Sequence, residues 1–211
     1  MEFSIAPHPL LDARVFTTSF ERELASYAAA SPLHKPPDAP FDPPDDSLRA
    51  SIRDLLRHSG FKPTGRSKPA SEYLLRAQAE GGLRPINFAV DVCNLVSLYS
   101  GLPISVVDLD RLAMPVSIAP ADEAASYVFN PAGQTIDVGR LLCLHDANGP
   151  CANAVKDAQR TKTSDETRNT LSVIWSSQAL RERTDAALVF YFELLTMTEG
   201  VEVDMLRPDN A

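Results

Sequence analysis

Between residues 104 and 175 the chain is cut into apolar runs of only a few residues, separated by Pro, Gly, Asp and Asn. Runs this short do not make helices of useful length, and turn-forming residues recur between them. The stretch therefore reads as consecutive strands of an antiparallel sheet or of a closed, barrel-like strand core. The runs are 104–107, 115–118, 127–129, 135–138, 141–144 and 171–175, with a brief helical turn capped by Ser164 at 165–168. On either side the periodicity changes. Leu48, Ile52, Leu55 and Leu56 form one helical stripe that Asp46 or Ser47 caps and Gly60 ends. A short helix starts at Ser71, and residues 88–99 place Val92, Leu95, Val96 and Tyr99 on one helix face before Gly101. Leu188, Phe192 and Leu195 mark the stripe of a closing helix over 180–197. Helices before and after a strand-rich middle predict an α+β fold, its strand core flanked by helices.

The first part of the chain predicts short strands at 3–6 and 14–18 and a helix over 20–30. Residues 31–46 then hold six prolines and four aspartates. With so few backbone donors, this stretch reads as an extended connector. The expected organisation is an N-terminal strand, helix and Pro-rich connector (1–46) packed on a 47–211 domain, making one domain overall. A chain of 211 residues with 44% hydrophobic content suffices for one sizeable core. No apolar run is long enough to cross a bilayer, and residues 1–12 lack the pattern of a secretory signal, so a cytoplasmic location is expected. Cys93, Cys143 and Cys151 have no disulfide-framework spacing and are expected to be reduced.

A net charge of −8 argues against avid non-specific binding to nucleic acid. Locally the balance reverses. Residues 49–84 carry eight cations against three carboxylates, enough for a basic surface that handles one end of an RNA, or for a solvated helix face.

The stretch 84–112, RPINFAVDVCNLVSLYSGLPISVVDLDRL, carries the most specific pattern: an arginine, Val90-Asp91-Val92-Cys93-Asn94, an apolar helix, Gly101-x-Pro103, Ile104-Ser105 and Asp108-Leu109-Asp110. A second block follows in order: Gly149-Pro150, the small residues 151–154, then Thr163, Asp165, Glu166, Thr167, Asn169 and Leu171. Together they resemble the tRNA-editing domain of the bacterial phenylalanyl-tRNA synthetase beta subunit over about residues 60–195. The stretches 64–75 and 155–163 resemble the stand-alone branch of that family.

The resemblance implies trans-acting hydrolysis of mischarged aminoacyl-tRNA, with the tRNA acceptor end and its attached amino acid as partner. It implies no cofactor, metal, membrane or DNA. The family places groups at the positions of Arg84, Cys93, Asn94 and Ser105 around the editing pocket. Asn94 and Ser105 are the catalytic candidates, Asn94 orienting ester or water, and Arg84 is assigned to the terminal adenosine or its phosphate. An aminoacyl ester is already activated, so a positioned water and an oxyanion donor suffice. Ser105 stands where the family has histidine, which removes a histidine base. Val173 stands where the family has a glutamate that reads the tyrosine hydroxyl, which makes Tyr-tRNA a poor substrate.

The remaining substrate-binding candidates are Ala154, Lys156, Asp157 and Thr161. Asp157 is assigned to a cationic or polar amino acid and Lys156 to RNA phosphate, against the alternative that their run is a solvated hairpin tip. Two other functions stay open: a binding module that senses an amino acid or RNA end without hydrolysis, and an interaction domain that docks a partner through its Pro-rich segment.

Overall fold

The structure, a computed structural model, describes residues 1–58, 60–63 and 67–209. Thr64, Gly65 and Arg66, which begin the 64–75 stretch and include one of its cations, lie outside the described residues. The chain opens with β1 (Phe3–Ile5) and β2 (Arg14–Phe20). Then come α1 (Asp46–His58), α2 (Ala70–Ala79) and α3 (Phe88–Ser100). The strand-rich middle holds β3 (Ile104–Asp108), β4 (Val116–Pro120), β5 (Ser126–Val128), β6 (Thr135–Asp137), β7 (Leu142–Asp146), β8 (Gly149–Asn153) and β9 (Asn169–Ile174). Helix α4 (Arg181–Thr196) and strand β10 (Val201–Met205) complete an α+β fold.

The strands form two open four-stranded sheets, ordered β1-β4-β7-β8 and β10-β2-β9-β3, with β5 and β6 as a separate hairpin. Pairing is antiparallel except between β1 and β4. The barrel-like alternative is corrected here. Closure needs a continuous backbone ladder, and among the described residues none joins the edge strands β3 and β8. Side chains cross that seam instead.

Alternation along the strands decides the layers. Val15, Val107, Leu171 and Val173 join Ile118, Leu144, Cys143 and Cys151 in one hydrophobic cluster. Their neighbours Phe16, Ile104, Val106 and Ile174 point the other way, into the layer formed by α3 and α4. Helix α3 begins with Asn87, whose Oδ1 accepts from Val90 N at 3.0 Å. It ends at Gly101, whose φ of +73° and approach to Pro44, where a Cβ would sit 2.8 Å from the ring, leave no room for a side chain. Asp91, buried at the start of this helix, accepts from Ser31 Oγ at 2.6 Å and Ile86 N at 2.8 Å.

Several elements differ from the sequence expectation. Asp45 caps α1 through Leu48 N at 2.8 Å, one residue before the expected caps. Residues 24–30 form a 3-10 helix that begins at Leu24, because the amides of Leu24 and Ala25 donate to the carbonyls of Thr167 and Asp165 and not to an earlier helical turn. Residues 165–168 form a turn without a helix, and two of its carbonyls serve that docking. The Pro-rich segment lies over α3 and α4. Tyr99 Oη donates to Pro37 O at 3.0 Å, Arg183 donates to Asp42 O at 2.7 Å, and Phe41 meets Phe190 edge-on. Helix α4 buries Thr184, Ala187, Tyr191 and Leu194 as well as Leu195, while Leu188 and Phe192 are half-buried. It packs on both α3 and β10, so its apolar face is a wedge wider than the single stripe.

Candidate active site at the seam between the sheets

Where the edges of β3 and β8 approach each other beside α3, a cavity of about 620 Å³ opens. Helix α3 contributes Cys93 and Asn94, β3 contributes Ile104 and Val106, and the turn after β8 contributes Lys156 and Asp157. Phe129, from the loop between β5 and β6, lines the same space. An adjoining hollow of about 280 Å³ continues along the start of α2 past Ala70, Tyr73 and Leu74.

The turn after β8 is shaped by Asn153. Its side-chain oxygen accepts from Val155 N at 2.8 Å and Lys156 N at 3.0 Å, which bends the chain back and brings Asp157 to the cavity. The Asn153 amide donates to the Tyr127 hydroxyl, which in turn donates to Lys156 O. Lys156 Nζ sits 3.9 Å from the centre of the Phe129 ring, and Lys162 Nζ donates to Phe129 O at 2.6 Å.

Asp157 is held from one side. Its Oδ1 accepts from Ser105 Oγ at 2.7 Å and, at 3.3 Å, from Asn153 N. Ser105 Oγ accepts from Trp175 Nε1 at 2.9 Å and lies 3.1 Å from Asn153 O, so this one hydroxyl bridges β3, the residue that follows β9 and the end of β8. What exposure Asp157 retains is to a cavity walled by protein, and desolvation dominates its ionisation. Burial pushes its carboxyl up to about 6, against the opposing pull of Ser105, Asn153 and Lys162.

Cys93 shares the cavity but offers no thiolate. Burial, aided by Asp157, pushes its thiol up to about 12, and its Sγ lies 3.7 Å from Ile104 O. Asn94 is half-buried, and its side-chain amide makes no hydrogen bond among the described residues.

Of the residues singled out in the sequence, Cys93, Asn94, Lys156 and Asp157 meet at this cavity. Ser105 lies directly behind it, fully covered, and reaches it through Asp157. Arg84 is exposed, two residues before Ile86, which lines the cavity. The other three are packed inside. Val173 pairs with Ser105 between the sheets, and Ala154 is buried with its carbonyl accepting from Ala70 N at 2.8 Å. Thr161 is buried with Oγ1 3.3 Å from the carbonyls of Cys151 and Ala158.

Asn153 and Tyr127, which shape the turn, and Trp175, which anchors Ser105, carried no functional signal in the sequence. An Asn two residues before an amide it accepts from is a recognisable turn device. The Trp175 contact depends on pairing that the sequence does not display.

Much of the basic stretch is neutralised locally. Arg53 makes a two-pronged pair with Glu72 at 2.7 Å, and Arg49, Arg57 and Arg76 pair with Asp46, Asp54 and Glu80. Among the described residues, no group of three or more His, Cys, Asp or Glu is placed to hold a metal ion, and no helix is long and apolar enough to cross a membrane.

Fold and cavity together define an α+β domain with a cavity at the seam of two sheets. Residues 61–189 match the B3/4 domain, and the chain belongs to that family. The phenylalanine–tRNA ligase beta subunit of Carboxydothermus hydrogenoformans is 31% identical over 150 residues, covering 66% of this chain and 18% of that protein. The beta subunit from Streptococcus mutans is 34% identical over 71 residues, covering 34% of this chain and 9% of its own length. The chain thus spans less than a fifth of the curated relatives it matches. Among solved structures, an N-terminal fragment of the phenylalanyl-tRNA synthetase beta subunit from Pyrococcus horikoshii aligns with a TM-score of 0.47 at 12% identity, covering 55% of this chain and 41% of that one.

Proposed function

We propose that this protein hydrolyses mischarged aminoacyl-tRNA in trans, acting on the ester that joins an amino acid to the tRNA terminus. The observation that carries this reading is that the Val-Asp-Val-Cys-Asn segment and the distant Lys156-Asp157 turn open onto one cavity. Membership of the B3/4 family and similarity to subunits named for a tRNA ligase support tRNA as the partner. The space is suited to one esterified amino acid, with apolar walls from Val90, Ile104 and Val106 and a polar end at Asn94, Lys156 and Asp157.

In this reading the Asn94 amide, without a hydrogen-bond partner among the described residues, donates to the ester carbonyl as negative charge develops on its oxygen. Lys156 lies at the cavity and Arg84 on the surface two residues before Ile86 of its lining, and both serve phosphates of the acceptor end. Val173, buried behind Ser105, does not read the amino acid directly.

The test is release of labelled amino acid from tRNA preparations charged in turn with each proteinogenic amino acid, corrected for spontaneous loss. Catalysed release from a subset of them is expected, and Asn94→Ala should slow it by about 100-fold, the worth of one oxyanion donor. Binding of charged tRNA with no release above background would replace the hydrolase by a sensing module.

A further inference from the structure

We propose that Asp157 is the general base of this site, taking over from the family's histidine, and that Ser105 is the residue that positions it. This rests on the hydrolase reading above and names the group that activates water. Ser105 stands in the histidine's place in the sequence, yet it is covered and cannot touch a substrate. Its hydroxyl instead holds Asp157 Oδ1, and Trp175 and Asn153 fix that hydroxyl in turn. Both donors to Asp157 converge on Oδ1, so Oδ2, which accepts from no group among the described residues, is left for the cavity. Among the described residues no salt bridge ties the carboxylate down, in contrast to the bidentate lock that Arg160 places on Asp146.

The step balances without a further reactant. Oδ2 takes a proton from water as the water oxygen forms a bond to the ester carbonyl carbon, and the carbonyl π pair moves onto its oxygen. When the carbonyl reforms, the bond from carbon to the ribose oxygen breaks and its electron pair stays on that oxygen. The ribose oxygen takes the proton back from Asp157. Free amino acid and a tRNA with its terminal diol leave, and the carboxylate is regenerated.

A carboxyl raised to about 6 is ionised at neutral pH and still basic enough to accept this proton. The other groups that interact with it do not titrate nearby. Burial keeps Cys93 of α3 and Cys143 of β7 neutral to about 12, and Cys151 of β8 and Tyr127 of β5 are shifted upward for the same reason. Lys162 faces the carboxylate as a cation, and Lys156 precedes it in the turn.

The experiment measures kcat and KM for amino-acid release across pH 5 to 8, on whichever charged tRNA the wild type hydrolyses best, for the full chain and its Asp157→Asn and Ser105→Ala variants. Wild-type kcat should rise with one ionisation centred near pH 6. Asp157→Asn, which keeps the shape and the Ser105 contact, should lose about 100-fold in kcat with little change in KM, and should lose the acid limb. Ser105→Ala removes a bond that favours the ionised carboxylate, so its limb should move to higher pH. Ionisation of the substrate's own amine would not respond to Ser105, and a purely structural role would leave the midpoint in place.

An Asp157→Asn enzyme within threefold of wild-type kcat, or a limb that Ser105→Ala leaves where it was, overturns the proposal while the hydrolase reading stands. A wild type that releases no amino acid overturns both.

Discussion

Asp146 and Asp157 lie close in sequence around β8, and both are withdrawn from bulk water, yet the fold treats them in opposite ways. Asp146 has no exposed side-chain surface and receives two parallel bonds from Arg160 at 2.7 Å, together with the amides of Ala113 at 3.1 Å and Asn148 at 2.9 Å. Burial alone would raise its pKa, but these four donors outweigh that and hold it below the ordinary carboxylate value. Asp157 receives a hydroxyl and a long amide contact on one oxygen, with no bonded cation among the described residues, and its pKa rises. A carboxylate satisfied on every side ties loops together. One satisfied on a single side and turned to a cavity is available for chemistry, at the expense of stability.

The largest effect that sharpens this contrast is expected at Arg160. Arg160→Ala strands a fully buried carboxylate, and we expect a loss of about 3 kcal/mol, read as a lower urea midpoint with unchanged slope. If the variant unfolds within about 0.5 kcal/mol of wild type, Asp146 is not the structural anchor described here.

Asp157→Asn should act in the opposite direction, raising stability at pH 7 by up to about 3 kcal/mol. The sign follows from linkage. The folded-state pKa of Asp157 lies above the ordinary value of 3.8, so the folded protein binds this proton more tightly than the unfolded chain does. Its contribution to stability therefore declines as pH climbs from about 4 to about 6 and is level above. The advantage of the Asn variant should be absent at pH 4 and complete at pH 7 in thermal melts. Equal shifts at both values would mean that Asp157 is not buried as an ionised group. The Asp146 carboxyl should show the reverse trend, its contribution being present at neutral pH and lost as pH falls through its depressed folded value.

The smallest expected effect is at Trp175. Trp175→Phe keeps an aromatic ring but deletes the donor to Ser105 and part of the buried indole, and should cost about 1–2 kcal/mol in a denaturant titration. The same change should move the kinetic limb in the direction Ser105→Ala does, by a smaller amount. A loss of stability without any movement of the limb would separate Trp175 from the Asp157 relay.

Much of the framework was readable from residue pattern. Three helical segments, at 48–56, 71–75 and 88–99, and most of the strand runs appear where period and punctuation put them, because one face of each must be buried locally. Two strands escaped. In β8 the residues Gly149, Pro150, Cys151, Ala152 and Asn153 carry weak strand preference, and the segment is a strand because β7 lies beside it. In β10 Val201, Val203 and Met205 alternate over only five residues, and pairing with β2 makes them a strand. The 20–30 helix failed for a related reason: its amides are claimed by a loop distant in sequence.

The site divides along the same line. Cys93, Asn94, Lys156 and Asp157 were each marked by residue type and by a motif that resembles a known family, and all four reach the cavity. By itself, then, the sequence determined the α+β pattern, the family and the segments that line the cavity, since those follow from local periodicity and residue identity. Only the tertiary structure decided which carboxylate Arg160 neutralises, that Ser105 serves Asp157 from behind the cavity wall, and that Val173 is packed between the sheets. Those outcomes depend on strand register and sheet packing, which bring together atoms from remote parts of the chain. In a buried setting, it is the partner each polar group finds that sets its charge and its role.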